Sequence, residues 1–210
     1  VKKALPCALI ALAFLPGCAL HPDRAGRPSA RAAGAITPEQ KTVRETMERV
    51  GDWQLLNPGR HEATNWTQAA CCTGFMALTR LSENPKYREA TIAMGEAYDW
   101  KLGPRMYDAD DHCIGQTYCE LYFDSRDEKM IAPMRAQFDR ILERPRTFPS
   151  LEFKQKGIDD LWSWCDSLFM APPAWVRLWK ATGDERYLTF AVTNWWRTSD
   201  YLYDPKEHLF

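Results

Sequence analysis

Residues 162–188 read WSWCDSLFMAPPAWVRLWKATGDERYL, and their prolines and turn residues indicate helical structure. The pair Pro172-Pro173 cannot continue a preceding helix, but it suits the first positions of a new one. We therefore predict a helix that begins near Met170 and carries Trp175 on an apolar face. The small polar turn ATGD leads from this helix into a second helical pattern, so the stretch predicts a helical hairpin.

The rest of the chain repeats this helical spacing. Thr37 is a candidate helix cap, Pro38 takes the first helical position, and Gln40 completes a capping-box pattern. No stretch alternates apolar and polar residues as a half-buried strand does, so the fold class is all-α. Helical patterns cover residues 37–53, 67–82, 84–102, 110–123, 127–142 and 184–203.

A weak internal repeat links these helices. The turns LSENPKYREA, FDSRDEKMIA and ATGDERYLTF each return to an apolar face, at Tyr87, Met130 and Tyr187. Stacked helical hairpins of this kind build a solenoid or close into an (α/α) toroid. In a toroid, we expect residues 51–65 and 143–157 to form loops at one mouth, where a pocket can lie.

The composition limits the classes of function that fit this chain. The 210 residues are 45% hydrophobic and include nine tryptophans, which is typical of a globular domain with a large core. The 27 basic and 28 acidic residues balance to a net charge of -1, which argues against a nucleic-acid partner. Aromatic faces suit flat ligands such as sugar rings, although large cores also use tryptophan.

The cysteines do not indicate a disulfide framework or a zinc site. Beyond the N-terminal segment they are five in number and include no CxxC pair, so we expect free thiols buried in the core. HExxH, Gly-rich phosphate loops and GxSxG are also missing from the sequence. We therefore expect no metal and no cofactor. The five cysteines are Cys71, Cys72, Cys113, Cys119 and Cys165.

The N-terminus has the pattern of an export signal. Residues 1–18 contain two lysines, an apolar run too short for a comfortable membrane span, and then LPGC. LPGC resembles a bacterial lipobox, in which Cys18 is lipidated, and the following Ala19 points to the outer membrane; the alternative is an ordinary secretory signal. We expect residues 19–36 to be a flexible tether. The predicted location is the cell envelope, where the protein would be an outer-membrane lipoprotein. Its domain would face the periplasm or the cell surface, and its lipid anchor would contact the membrane.

One carboxylate stands out. Asp166 has Trp162, Trp164, Phe169 and Trp175 as sequence neighbours. If these rings exclude water, the pKa of Asp166 rises and the group becomes a general acid. The alternatives are that Asp166 caps the following helix or pairs with an arginine.

Four blocks of sequence together resemble the unsaturated glucuronyl and rhamnogalacturonyl hydrolases, which form glycoside hydrolase families 88 and 105. The resemblance covers residues 37–210 and implies an (α/α)6 toroid. The blocks are NWTQAACCTGFMAL, DADDHCIGQTYCELY, WSWCDSLFMAPPAWVRLWKATGDERYL and WWRTSDYLYDPKEHLF.

This resemblance implies an unusual glycosidase. The family's substrates carry a 4,5-unsaturated uronic acid at the non-reducing end, left there by a polysaccharide lyase. An aspartic acid protonates the double bond, water adds at the adjacent ring carbon, and the hemiketal that results opens and releases the aglycone. The scheme differs from the paired-carboxylate attack of ordinary glycosidases.

The resemblance also assigns residues. Asp166 resembles the proton donor. Asp111 resembles the second active-site acid, with Asp110 as its competitor, and helix capping is the alternative for both. Trp66 resembles the aromatic residue that packs on the sugar ring, with a core position as the alternative.

Two histidines complete the predicted site. His208, in EHLF, resembles a pocket histidine that hydrogen-bonds the substrate, and a solvated position near the terminus is the alternative. His112, directly after Asp111, is the other predicted substrate-binding residue.

Family members continue beyond EHLF. We therefore expect this chain to be an N-terminal portion whose toroid is incomplete and whose C-terminal half is missing. The favoured function is removal of unsaturated uronic acid from oligosaccharides of the rhamnogalacturonyl type. The alternative is a truncated, inactive or glycan-binding helical module tethered to the membrane.

The lipobox yields a test in cells. Cys18→Ser removes the sulfur that would carry the lipid, so we expect the variant to leave the membrane fraction or to stay unprocessed. Fractionation followed by immunoblotting measures both, with Cys7→Ser as the matched control. An unchanged distribution with normal processing would show that Cys18 is not the anchor.

Overall fold

The computed structural model describes residues 36–146, 150–152 and 162–210. Within these ranges the chain is helical, and its one β pairing is a single bridge between Asp204 and Leu209. The all-α prediction is confirmed. The helices are α1 (Pro38–Leu56), α2 (Trp66–Thr79), α3 (Lys86–Ala97), α4 (Ala109–His112), α5 (Ile114–Ser125), α6 (Ala132–Glu143), α7 (Ser167–Met170), α8 (Pro172–Thr182) and α9 (Glu185–Leu202), with a 3-10 turn at Glu128–Met130.

Some predictions fall on other parts of the chain. The predicted signal segment with Cys18, and residues 19–35 of the predicted tether, lie outside the described residues. The same holds for residues 147–149 and 153–157 of the second predicted loop. None of the helices described above combines the length and the apolar character needed to cross a bilayer.

Local signals set the helix boundaries. Pro38 begins α1 and Pro172 begins α8, two residues after the start predicted for the latter. Gly183 ends α8 with a φ of 76°, a left-handed conformation that glycine adopts without strain. The Asp184 side chain then accepts a hydrogen bond from the Arg186 backbone N–H and caps α9. The predicted α8–α9 hairpin therefore forms.

Two layers of helices build the domain. Helices α2, α5 and α8 pack side by side with α5 in the middle, while α3 packs on α2, and α9 on α8. Helix α5 is buried over most of its length because neighbours cover both of its sides. Inner helices backed by outer helices give the stacked-hairpin arrangement that the repeat predicted.

The repeated turns have a common structure. Tyr87, Met130 and Tyr187 are all buried, as their positions in the repeat predicted. The Tyr87 hydroxyl donates to Asp52 Oδ1 at 2.8 Å, and the Tyr187 hydroxyl donates to Asp139 Oδ1 at 2.8 Å. In both cases a buried tyrosine near the start of a helix, α3 or α9, hydrogen-bonds a carboxylate of an earlier helix, α1 or α6.

The thiols follow the prediction in part. All five cysteines in the described residues are free. Cys72, Cys113 and Cys119 are buried, as predicted, and Cys71 is half-buried. The prediction is wrong for Cys165, which is exposed because the turn before α7 lies at the surface.

His112 belongs to this core and not to a binding pocket, which corrects its predicted role. Its side chain is 1% exposed and packs edge-on against the Phe138 ring, with the centroids 4.9 Å apart. Nε2 lies 2.9 Å from the Met106 carbonyl oxygen, and the Trp175 indole N–H donates to Nδ1 at 3.2 Å. These partners fit a neutral ring protonated at Nε2. Both nitrogens are thus occupied by the protein itself.

Burial of His112 makes stability depend on pH. Burial lowers the pKa of His112 from 6.5 to about 4. Below about pH 6.5 the unfolded chain takes up a proton at this residue and the folded chain does not, so stability falls as the pH drops from about 6.5 to about 4. The full effect is up to about 3 kcal/mol.

His112→Gln removes this ionisation and keeps an N–H that reaches towards Met106. We expect the variant to be less stable at neutral pH, because packing on Phe138 is lost, and to lose less stability between pH 6.5 and 4 than the native chain. Urea denaturation across this pH range measures the difference, with the exposed His61→Gln as the control. Equal pH slopes for His112→Gln and the native chain would contradict the assignment.

Candidate active site

A cleft of about 310 Å³ opens where α2, α4 and α7 begin. It combines carboxylates, one guanidinium and two large aromatic rings. Its lining residues are Trp66, Arg105, Asp108, Ala109, Asp110, Trp164, Asp166 and Ser167.

The first wall carries Trp66. The Asn65 side chain accepts a hydrogen bond from the Thr67 backbone N–H at 3.1 Å, which starts α2 with Trp66 as its first residue. The Trp66 side chain remains 45% exposed and lines the cleft, as predicted for a sugar-stacking residue. The first predicted mouth loop is shorter than expected, because α1 continues to Leu56 and leaves residues 57–65 as the approach to Trp66.

Asp166 also lines the cleft and lies directly before α7. Its backbone carbonyl accepts hydrogen bonds from the N–H groups of Phe169 and Met170, at 2.8 and 3.0 Å. Its side chain makes no capping hydrogen bond, so the capping alternative is not what the structure contains. The carboxylate is free to face the cleft.

The expected burial of Asp166 among aromatic rings is wrong. Trp162 and Trp175 turn into the core, whereas Trp164 and Phe169 are 56% and 49% exposed. Asp166 itself is exposed. Neighbours in sequence therefore do not enclose this carboxylate in space.

Asp110 and Asp111 face different surroundings. Asp110 lines the cleft, and its side chain is 27% exposed. Asp111 is buried: Oδ2 accepts from the Arg105 backbone N–H at 2.6 Å, and Oδ1 accepts from Arg105 Nη2 at 2.7 Å and Nε at 3.2 Å. A Cβ on Gly103 would approach the Asp111 carboxyl carbon to 2.4 Å, so glycine is needed there. The geometry brings Asp110, and not Asp111, to the cleft beside Asp166.

A third carboxylate completes the cluster. Asp108 Oδ1 accepts from the Asp110 backbone N–H at 3.0 Å and caps α4, while Asp108 Oδ2 accepts from Arg105 Nη1 at 2.5 Å. Burial raises the pKa of Asp108 to about 6, even though the Arg105 charge opposes this shift.

Asp110 and Asp166 interact electrostatically across the cleft. Burial raises the pKa of Asp110, and the charge of Asp166 raises it further. Arg105 Nη2 lies 3.7 Å from Asp110 Oδ2 and acts in the opposite direction. A carboxyl group whose pKa is raised in this way keeps its proton to a higher pH than an isolated aspartate would.

The cluster does not look like a metal centre. Within the described part of the chain, no group of three or more His, Cys, Asp or Glu side chains is arranged to hold a metal ion. Arg105 already pairs with Asp108 and Asp111. The residues that line the cleft supply carboxyl groups for proton transfer and aromatic rings for stacking.

His208 lies elsewhere. It occupies the turn after α9 with a φ of 56°, and its Nδ1 lies 3.0 Å from the Tyr203 hydroxyl. It is not among the residues that line the cleft, so its predicted contact with a substrate in this cleft is not supported.

Sequence reasoning missed three cleft residues. Trp164 was visible as a neighbour of Asp166 but received no role. Arg105 and Asp108 carried no signal apart from their closeness in sequence to the two candidate acids, because their roles depend on side-chain contacts.

Comparison with known proteins identifies the family. Residues 37–210 match the model of Glycosyl Hydrolase Family 88. Two curated relatives are similar, and both are named unsaturated 3S-rhamnoglycuronyl hydrolase. The one from an Alteromonas species is 28% identical over 197 residues, covering 81% of this chain and 48% of the relative. The one from Formosa agariphila is 27% identical over 174 residues, covering 80% of this chain and 46% of the relative. This chain spans about half the length of the curated relatives it matches.

Solved structures agree on the fold. A family 88 glycosyl hydrolase from Bacteroides vulgatus superposes with a TM-score of 0.61 at 21% identity, over 80% of this chain and 49% of that one. A protein described as a polysaccharide lyase superposes with a TM-score of 0.65 at 23% identity, over 80% and 49%. The predicted (α/α)6 toroid, present here in part, is confirmed. Because the family model matches most of the chain, residues 37–210, the chain belongs to Glycosyl Hydrolase Family 88.

Proposed function

We propose that this protein is a glycosidase that removes 4,5-unsaturated uronic acid from the non-reducing end of lyase-generated oligosaccharides by hydrating the double bond. The observation that carries the proposal is the facing pair Asp110 and Asp166 in a cleft lined by two exposed tryptophans. Family membership and the names of the two curated relatives support a hydrolase of this type.

Asp166 is the proton donor in this scheme. It is exposed, its side chain caps no helix, and it lines the cleft, so a substrate can reach it. The protonated carboxyl gives its proton to one carbon of the double bond, and a water molecule adds through its oxygen at the adjacent ring carbon. The proton that this water loses returns to the carboxylate pair, so the acid is regenerated. The hemiketal then opens and the aglycone leaves.

Asp110 is the second acid. Its raised pKa follows from partial burial and from the charge of Asp166, so the pair retains a proton when a solvated aspartate would have lost it. A proton shared between two facing carboxyl groups lets one group donate while the other receives the proton of the attacking water. Asp111 does not fit this role, because Arg105 N–H groups fill both of its oxygens.

Trp66 and Trp164 supply the sugar platform. Each is about half exposed and lines the same cleft as the acid pair. The flat apolar face of a pyranose ring packs well on such an indole surface. Since both curated relatives are named rhamnoglycuronyl hydrolases, we propose a rhamnose-linked unsaturated uronic acid as the substrate. Lipidated at Cys18, the enzyme would act in the cell envelope.

Three asparagine variants test the roles. Asp166→Asn and Asp110→Asn keep the shape of the cleft but cannot carry a proton, so we expect turnover to fall ~10²- to 10⁴-fold with little change in affinity. Asp111→Asn breaks a buried pair with Arg105, so we expect it mainly to lower stability. The loss of ultraviolet absorbance of a lyase-generated oligosaccharide measures turnover, calorimetry measures affinity, and urea denaturation measures stability.

Three other outcomes would contradict the proposed roles or the proposed function. Turnover within about threefold of the native value in Asp166→Asn would show that the proton donor is misassigned. Loss of turnover in Asp111→Asn, with Asp110→Asn active, would return the second acid to Asp111. Binding of the oligosaccharide by the native chain without turnover would favour a glycan-binding module.

A further inference from the structure

We propose that Arg105 is a positioning residue that acts through Asp110: Asp108 and Asp111 fix its guanidinium so that the positive charge lies beside the Asp110 carboxylate, which shares the cleft with Asp166. Its effect on turnover rests on the function proposed above. Its effect on Asp110 is a property of the cleft and can be measured without any substrate.

The guanidinium is fixed from two sides. Arg105 Nη1 donates to Asp108 Oδ2 at 2.5 Å, and Nη2 and Nε donate to Asp111 Oδ1 at 2.7 and 3.2 Å. The Arg105 backbone N–H donates to the other Asp111 oxygen at 2.6 Å. An arginine side chain with half of its surface exposed would otherwise sample many rotamers, so the two buried carboxylates select one orientation.

That orientation directs positive charge at Asp110. Nη2, the nitrogen bound to Asp111 Oδ1, also lies 3.7 Å from Asp110 Oδ2. This separation is longer than a hydrogen bond, so Arg105 reaches Asp110 as a charge while its N–H donors stay with Asp108 and Asp111. Asp108 and Asp111 thus fix the Arg105 guanidinium by hydrogen bonds, and the charge of this guanidinium acts on Asp110.

Arg105 is the one cation among the described residues that line the cleft. Without it, Asp110 would face carboxylates and no positive charge. The titratable groups around Asp110 are Arg105 in the preceding loop, Asp108 and Asp111 beside it at α4, Cys113 at the start of α5, and Asp166 at the start of α7.

The charges act on Asp110 in opposite directions. Burial and Asp166 raise the pKa of Asp110, and Arg105 lowers it. Of these effects the raising ones are the larger, so the pKa of Asp110 lies above the usual aspartate value. Loss of the Arg105 charge would leave Asp110 protonated over a wider pH range.

The titration of the Asp110 carboxyl group tests the proposal without substrate. Carbon-13-labelled aspartate gives a carboxyl signal whose titration midpoint is read by NMR, and Asp110→Asn assigns the signal. In Arg105→Gln we expect the midpoint of Asp110 to rise by about one pH unit, since an opposite charge at this distance shifts a pKa by 1–3 units and solvent screening favours the lower end. Arg105→Lys keeps the charge and should restore part of the shift. The exposed Arg60→Gln is the matched control and should leave the midpoint unchanged.

Folding is monitored separately. Arg105→Gln leaves two buried carboxylates without their partner, so the double variant Arg105→Gln/Asp111→Asn removes one of them and provides a second measurement. An unchanged Asp110 midpoint in either folded variant would overturn the proposal and leave Arg105 a purely structural residue. A midpoint that Arg105→Lys fails to restore at all would overturn the part assigned to charge.

Activity distinguishes this proposal from the proposed function. If the native chain turns over the unsaturated oligosaccharide, Arg105→Gln should lower kcat more than it raises KM and shift the pH profile of kcat to higher pH. If the native chain shows no turnover but the midpoint of Asp110 still moves, the role of Arg105 stands and the proposed function fails. If the native chain is active but the midpoint of Asp110 stays fixed, the role of Arg105 fails and the proposed function stands.

Discussion

The hydrogen bond from the Trp175 indole to His112 is the contact on which both the core and the cleft depend. Trp175 is fully buried in α8, and its ring stacks on Phe138 of α6 and Phe190 of α9, with centroid distances of 3.8 and 4.1 Å. It therefore joins α8 to both of these helices. His112 ends α4, one residue after Asp111, and can accept this bond only as a neutral ring. The aromatic core therefore fixes the short helix that carries the acids, and a proton on His112 would oppose both.

The clustered carboxylates make this arrangement costly unless a cation offsets it. Asp108 and Asp111 are 5% and 3% exposed, and an ionised carboxylate buried to this extent needs a partner. Arg105 provides N–H donors to both, and the close approach of Gly103 to Asp111 leaves no room for a side chain at position 103. One arginine thus lets the chain keep three acidic residues close together near a cleft.

Much of the fold could be predicted because its signals are local. Pro38 and Pro172 begin helices in any context that tolerates a helix, and the repeat correctly predicted buried tyrosines after the turns. Trp66 and Asp166 were also predicted, and both line the cleft. The remaining features depend on tertiary contacts. The family resemblance named Asp111, with Asp110 as its competitor, and consecutive helix residues point about 100° apart, so only their tertiary contacts with Arg105 show which of them faces the cleft. His112 was misassigned because its partner Trp175 lies 63 residues away.

Asp111, Asp110 and Asp166 differ in how far solvent reaches their carboxylates. Asp111 accepts N–H groups of Arg105 on both of its oxygens, so this buried carboxylate orients Arg105. Asp166 is exposed and caps no helix, so a ligand can reach it. Asp110 lies between these extremes, with partial burial that raises its pKa and a guanidinium that limits the rise. In the proposed mechanism, identical side chains thereby acquire an orienting role, a donating role and a proton-sharing role. The difference comes from the hydrogen-bond donors and water that reach each of them, and this is why the assignment of roles follows from contacts and not from residue type.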